Sequence, residues 1–268
     1  MYNTPKQTPF KLISQNNEEP NMTTDYHSRQ MLGSEMFEAW EQTESDQKKK
    51  LPMPPKEKPV PEGSQLIDLP APETFDFEGV SVLQAMRNRK SRREYKDEPL
   101  SLSELAFLCW ATQGVRALDP KTGRMLRIVP SAGARQPFET YLGVRRVEGL
   151  EMGLYRYLSL SHQLCLLWAE ADIAEKMAWK CAGFARQAAV TFIWTAIPYR
   201  TEWRYASVSS KLILQDSGHV CQNMYLACEA IGCGTCAVSA YGQHAMDEYL
   251  GLDGESELTV YCAPVGRV

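Results

Sequence analysis

Polar and apolar positions alternate along Phe138-Glu139-Thr140-Tyr141-Leu142-Gly143-Val144. Phe138, Thr140, Leu142 and Val144 share one side, a period that predicts a strand. Residues 188–197 form a nearly continuous apolar run whose length and β-branched content predict a strand buried on both faces. Residues 153–158 and 162–167 flank Ser159-Leu160-Ser161 and predict a hairpin, and residues 257–263 predict a last strand. Elsewhere the period changes to that of a helix. Leu105, Leu108, Cys109 and Thr112 give one helix a buried face, with Ser101 and Glu104 at capping-box spacing and Gly114 as its stop. Ser81 caps a shorter helix running to Met86, and Ile173, Met177 and Cys181 mark the inner side of a helix over 172–182. The longest helical pattern spans 211–231, with Leu212, Gln215, His219, Gln222 and Tyr225 on one side. It is apolar over much of its circumference, as a central or interface helix would be. A short helix over 243–250 closes at Gly251; 119–123 is a turn, and 198–209 reads as a connector rich in Arg, Trp and Tyr.

Composition divides the chain in two. Residues 1–70 are polar, charged and proline-rich, as in Asn16-Asn17-Glu18-Glu19-Pro20 and Pro52-Met53-Pro54-Pro55-Lys56. Such a segment cannot bury enough apolar surface to build its own core. It is expected to be an extended or partly disordered arm, with a short helix near residues 34–40. Residues 71–268 form the expected folded domain, its first helix near Val80. With 268 residues, 44% of them hydrophobic, the chain can bury a full core. A net charge of -4 and a pI near 5.7 argue against a nucleic-acid-binding protein. No apolar run is long enough for a membrane span, and the first residues lack the apolar centre of an export signal. A cytoplasmic location is expected, with the eight cysteines reduced.

Three stretches carry candidate chemistry. Pro130-Ser131-Ala132-Gly133-Ala134-Arg135-Gln136-Pro137 has a proline at each end and small side chains between, so a flat ligand can come close to exposed backbone N–H groups. Arg87-Asn88-Arg89-Lys90-Ser91-Arg92-Arg93 places five cations in seven residues around a serine, a setting that favours an anion. Cys233-Gly234-Thr235-Cys236 has the spacing of a redox pair or half a metal site, but no second such pair exists, and no metal is expected. His162 is read as an exposed turn residue and His219 as a hydrogen-bonded interior one.

The 130–137 octet followed by Phe-Glu-Thr-Tyr-Leu resembles the signature of the SagB-type branch of the nitroreductase-like flavoproteins. Further stretches agree with it: Arg89-Lys90-Ser91-Arg92-Arg93 with the Arg-x-Ser-x-Arg element, Gly153-Leu154-Tyr155-Arg156-Tyr157, the long helix running to Gly232-Cys233-Gly234-Thr235, and the Pro264-Val265-Gly266-Arg267 ending. The likeness spans about residues 80–268. It implies an α+β fold with a mixed, mainly antiparallel sheet between helices, a long central helix, and a homodimer holding FMN at the subunit interface. It implies that Arg89, Lys90 and Ser91 hold the FMN phosphate or ribityl chain, and that Arg93 reaches the pyrimidine side of the ring. Pro130, Ser131, Ala132, Gly133 and Arg135 would line the flavin. Ser239 and Ala240 would approach its N5 edge, with Cys236 as a lesser candidate, and Arg267 would add a cation. It also implies an oxidoreductase working by two-electron transfer, with NADH or NADPH as candidate donor and a small molecule or peptide as substrate. In azoline-oxidising members a Lys-Tyr pair handles protons; here the pair is Arg204-Tyr205. Arginine stays protonated, so Arg204 is a candidate for holding a carbonyl or carboxylate and Tyr205 for moving a proton. Azoline dehydrogenation and a flavin-binding protein without turnover are the alternatives.

Overall fold

The computed structural model describes residues 33–268; the expectations for the first part of the arm lie outside them. Helix α1 (Glu35–Gln42) comes first, where the short helix was expected, and strand β1 (Gln65–Asp68) follows. The remaining elements are α2 (Val82–Asn88), α3 (Leu102–Gln113), a hairpin of β2 (Val115–Leu118) and β3 (Met125–Arg127), β4 (Phe138–Val144), β5 (Gly153–Leu158) and β6 (Gln163–Ala169). Then come α4 (Ile173–Lys180), β7 (Val190–Ala196), α5 (Tyr199–Tyr205), α6 (Ser209–Ala230), β8 (Cys233–Thr235), α7 (Gln243–Leu250) and β9 (Leu258–Arg267). Among the described residues no helix is long and apolar enough to cross a membrane.

Seven strands form one sheet in the order β1-β6-β5-β4-β7-β9-β8. Every ladder in it is antiparallel, and parallel pairing is confined to isolated bridges, Ser91 with Thr235 and Leu100 with Val147. At the centre β4 pairs with β7 from Phe138 opposite Ala196 to Val144 opposite Val190. Helices α3 and α6 cover one face, where Leu105, Leu108, Val220 and Met224 share a core with Phe138, Leu142, Phe192 and Trp194. Helices α4 and α7 cover the other, where Ile173, Met177, Met246 and Leu250 pack with Tyr141 and Ile193. Both central strands are therefore buried throughout, β7 as expected and β4 beyond the single apolar side its alternation suggested.

Helix α3 begins as the sequence dictates. Ser101 Oγ accepts the Glu104 N–H, and the Glu104 carboxylate accepts the Ser101 N–H at 2.8 Å. The same carboxylate receives Arg267 at 2.6 and 2.8 Å, which ties the helix start to β9. Far more of α3 is buried than one face, because α6 and the sheet enclose it. Ser101→Ala removes the capping hydroxyl and is expected to lower unfolding stability by about 1 kcal/mol, read by urea denaturation. An unchanged midpoint would show that Glu104 and Arg267 hold this end without the serine.

Three expectations change. Residues 199–205 are helical, not a connector; the buried residues of α5 are Arg200, Thr201 and Trp203, so its inner side carries little apolar signal. His219 is half-exposed on α6, 3.9 Å from Asp216, and is not an interior residue. His162 is not a free turn residue: its Nδ1 meets the Tyr157 hydroxyl at 2.8 Å and its Nε2 the Pro70 carbonyl at 2.9 Å. The segment before residue 70 is also more closely joined to the rest than its composition suggests. Strand β1 extends the sheet along β6, and the Trp40 indole N–H donates to the Arg204 carbonyl at 3.0 Å. All eight cysteines are buried free thiols.

Candidate functional site

The 130–137 loop turns back on itself through left-handed residues, Gly133 (φ 54°), Ala134 (φ 53°) and Gln136 (φ 55°). Two of these carry a Cβ, a strained arrangement that surrounding contacts must hold. The holding group is Asp216 on α6. Its carboxylate accepts the Ala132 N–H at 3.1 Å and also bonds the Ser131 side chain, while Ser131 Oγ accepts the Gln136 N–H at 2.9 Å. Burial pushes the Asp216 carboxyl up, opposed by those two hydrogen bonds and by His219. Ala134 N–H bonds the Ser131 carbonyl and Arg135 N–H the Ala132 carbonyl. Four of the N–H groups expected to face a ligand, those of Ala132, Ala134, Arg135 and Gln136, are thus satisfied inside the chain.

Gly133 sits directly against the end of α5. A Cβ on it would lie 2.6 Å from the Tyr205 hydroxyl and 3.0 Å from an Arg204 Nη, so any larger residue would push these two side chains away from the loop. The Arg204 guanidinium stacks over the Tyr205 ring at 5.2 Å, and Trp40 of α1 packs against the same ring at 5.3 Å. The loop and the Arg204–Tyr205 pair therefore come together, with α1 closing over them. Arg135 turns inward instead: its Nε donates to the Arg200 carbonyl at 2.6 Å and its guanidinium lies 4.6 Å from the Trp203 ring.

The basic run forms a separate group. Lys90, Ser91, Arg93 and Lys96 lie along an open cleft of about 680 Å³, with Glu94 as the acidic side chain on its wall. Ser91 Oγ and the Tyr225 hydroxyl are 2.9 Å apart, and that hydroxyl accepts the Ala237 N–H at 2.9 Å. Tyr225 of α6 thereby links the basic run to the segment that leads to Ser239 and Ala240, both exposed. Arg89 lies over the Tyr225 ring at 5.3 Å and Arg93 over the Phe184 ring at 6.0 Å. Arg92 is engaged with Glu229 at 3.3 Å. Arg267 is not in this group; besides Glu104 it donates to the Ile231 carbonyl at 2.7 Å.

A family model described as the Nitroreductase family matches residues 86–267, a span that contains the loop, the basic run and the helix that joins them. The chain belongs to the nitroreductase family.

This nitroreductase is 32% identical over 194 residues to a Methanocaldococcus jannaschii protein itself named as a nitroreductase, covering 72% of this chain and 93% of that one. It is 30% identical over 145 residues to the trifolitoxin-processing protein TfxB of Rhizobium leguminosarum bv. trifolii, covering 49% of this chain but 37% of that protein. Among solved structures it shares its fold with a Ralstonia eutropha protein described as a nitroreductase, with a TM-score of 0.61, 23% identity, and coverage of 81% and 99%.

Two residues of this nitroreductase's site escaped the sequence reading. Asp216 was visible only as a carboxylate within a largely apolar helix, and Tyr225 only as one position on its face. Their places on α6 matter. Nine residues separate them, roughly 13 Å of helix rise and two and a half turns, so they point to opposite sides of the helix. The loop that Asp216 anchors and the basic run that Tyr225 anchors therefore meet α6 on different sides.

Proposed function

We propose that this nitroreductase is an FMN-dependent oxidoreductase that moves two electrons between two substrates in a ping-pong cycle, and that two copies of the chain complete each site. The observation that carries the reading is the donor set along the 680 Å³ cleft: Lys90, Ser91, Arg93 and Lys96 on its wall, with Arg89 alongside over Tyr225. Two or more cations beside a hydroxyl suit a phosphate monoester, so these residues fit FMN. Bound FMN would supply the two-electron chemistry. The residues do the rest. Arg89, Lys90 and Ser91 would hold the phosphate and ribityl chain. Arg93 would set positive charge beside the pyrimidine edge. The backbone at Ser239 and Ala240 would approach the N5 edge. Arg204 holds a substrate carbonyl or carboxylate, and Tyr205 Oη gives or takes the proton. NADH or NADPH is the proposed donor.

The two anchor points on α6 support a homodimer. Because the loop and the basic run leave that helix on opposite sides, a second copy is the simplest source of the missing half. Helix α2 adds an apolar surface for such a contact, since Val82, Leu83 and Met86 are all exposed. A second reading is favoured by the likeness to a trifolitoxin-processing protein: oxidation of thiazoline or oxazoline rings in a modified peptide. There Tyr205 would have to accept the proton, since Arg204 stays charged.

The test is an absorbance spectrum of the purified protein, then anaerobic addition of NADH or NADPH. A flavin spectrum that bleaches with either nucleotide is expected. A colourless protein that takes up no FMN on reconstitution would sink the reading. A yellow protein that neither nucleotide reduces, and that dithionite reduces without reoxidation by any acceptor, would leave a flavin-binding protein without turnover.

A further inference from the structure

A second opening, about 370 Å³, lies beside the Gly133 turn. Met53 and Lys56 of the N-terminal segment, Arg124 of the β2–β3 turn, Gly133 and Arg135 of the loop, and Arg204 of α5 contribute to its wall. Four of these six are cations. The carboxylate on the wall, Asp119, is already engaged by the Thr122 hydroxyl at 2.6 Å and the Lys121 N–H at 2.9 Å.

Two buried donors here have no partner among the described residues. Arg135 is only 4% exposed, yet one of its Nη atoms makes no hydrogen bond, and neither does the buried Lys56 Nζ. Arg135 cannot swing out to water, because the Arg200 carbonyl at 2.6 Å, the Met53 sulfur at 3.4 Å and the Trp203 ring fix its guanidinium. Burial, reinforced by Arg135, Arg200 and Arg127, lowers the Lys56 ammonium to about 8. An unpaired buried donor is costly, and more so when charged; an anion seated between two such donors removes both penalties and gains charge-assisted hydrogen bonds.

We propose that this pocket binds an oxyanion, the carboxylate or phosphate group of a small molecule, between Lys56 Nζ and the free Nη of Arg135, with Arg124 and Arg204 supplying further positive charge. The site joins the N-terminal segment to the Arg204–Tyr205 edge, so the anion would mark the class of molecule admitted there. The proposal concerns residues distinct from the basic run and does not need FMN to be bound.

Calorimetric titration of the full chain with sodium phosphate and, separately, sodium benzoate, at ionic strength held constant with NaCl, tests it. Saturable binding of at least one probe is expected, and which one binds separates a phosphate from a carboxylate ligand. Lys56→Met should weaken that binding at least about tenfold, the loss expected for one charged hydrogen bond. Arg124→Gln, on an exposed turn where folding is not at stake, should weaken it by a smaller factor. Arg89→Ala separates this site from the basic run, which can also take phosphate. Binding lost in Arg89→Ala but kept in Lys56→Met and Arg124→Gln would overturn the proposal, as would no saturable binding of either probe. FMN content is scored independently: a protein that takes up no FMN on reconstitution, yet whose phosphate or benzoate binding depends on Lys56, would remove the flavin reading and leave this one standing.

Discussion

Arg200→Ala should destabilise the fold by about 3–5 kcal/mol, the loss typical when one partner of a buried ion pair is removed. Arg200 and Glu139 are each 2% exposed and lie 2.5 Å apart. Arg200 Nε also donates to the Pro55 carbonyl at 2.9 Å, and Glu139 accepts the Lys58 N–H at 2.9 Å. The pair therefore clamps the N-terminal segment, β4 and α5 together beneath the Arg204–Tyr205 edge. A domain is stable by only about 5–15 kcal/mol, so the variant should unfold at markedly lower urea. The control is the double variant Arg200→Leu/Glu139→Leu. It removes both charges of the pair together and should recover part of the loss, the remainder being the charge of the buried Arg127, which Glu139 also offsets. A single variant that loses less than about 1 kcal/mol would mean that water reaches the abandoned carboxylate and the pair is not sealed.

Arg89→Ala is expected to weaken FMN binding by roughly 10- to 100-fold, the size of one or two charged hydrogen bonds to phosphate. Fluorescence titration of FMN into the flavin-free protein measures it. Arg89→Lys should fall between the two, since an ammonium keeps the charge but loses the planar fork and its stacking on Tyr225. Arg87→Ala, exposed and off the spacing of the motif, should bind nearly as the parent does. Equal affinity in the parent and in Arg89→Ala would remove the phosphate assignment.

The sequence was most legible where a local rule acts alone. The Ser101–Glu104 box set the start of α3, and the apolar run of 188–197 announced a strand covered on both sides. It was least legible where polar groups are buried in pairs. Helix α5 hides Arg200 and Thr201 on its inner side, so no apolar period signals it. Glu139 looked like the polar side of an alternating strand, yet Arg200 and Lys58, distant in sequence, make its burial tolerable. His162 differs from its expected exposed turn position for the same reason, since its partners are Pro70 and Tyr157. In the site, the glycine in the loop and the serine in the basic run were readable, but the groups that hold them, Asp216 and Tyr225, depend on how α6 meets two loops far apart in the chain.

The sealed cysteines have a consequence of their own. All eight sulfurs lie in the interior, and burial raises Cys109 and Cys228, which are wholly enclosed, well above the ordinary thiol range. Burial screens the sulfurs of a folded copy from a passing peroxide, a mercurial or another molecule's disulfide. Its sulfur chemistry starts only once the molecule opens, and alkylation by a maleimide dye would then act as a clock for that opening.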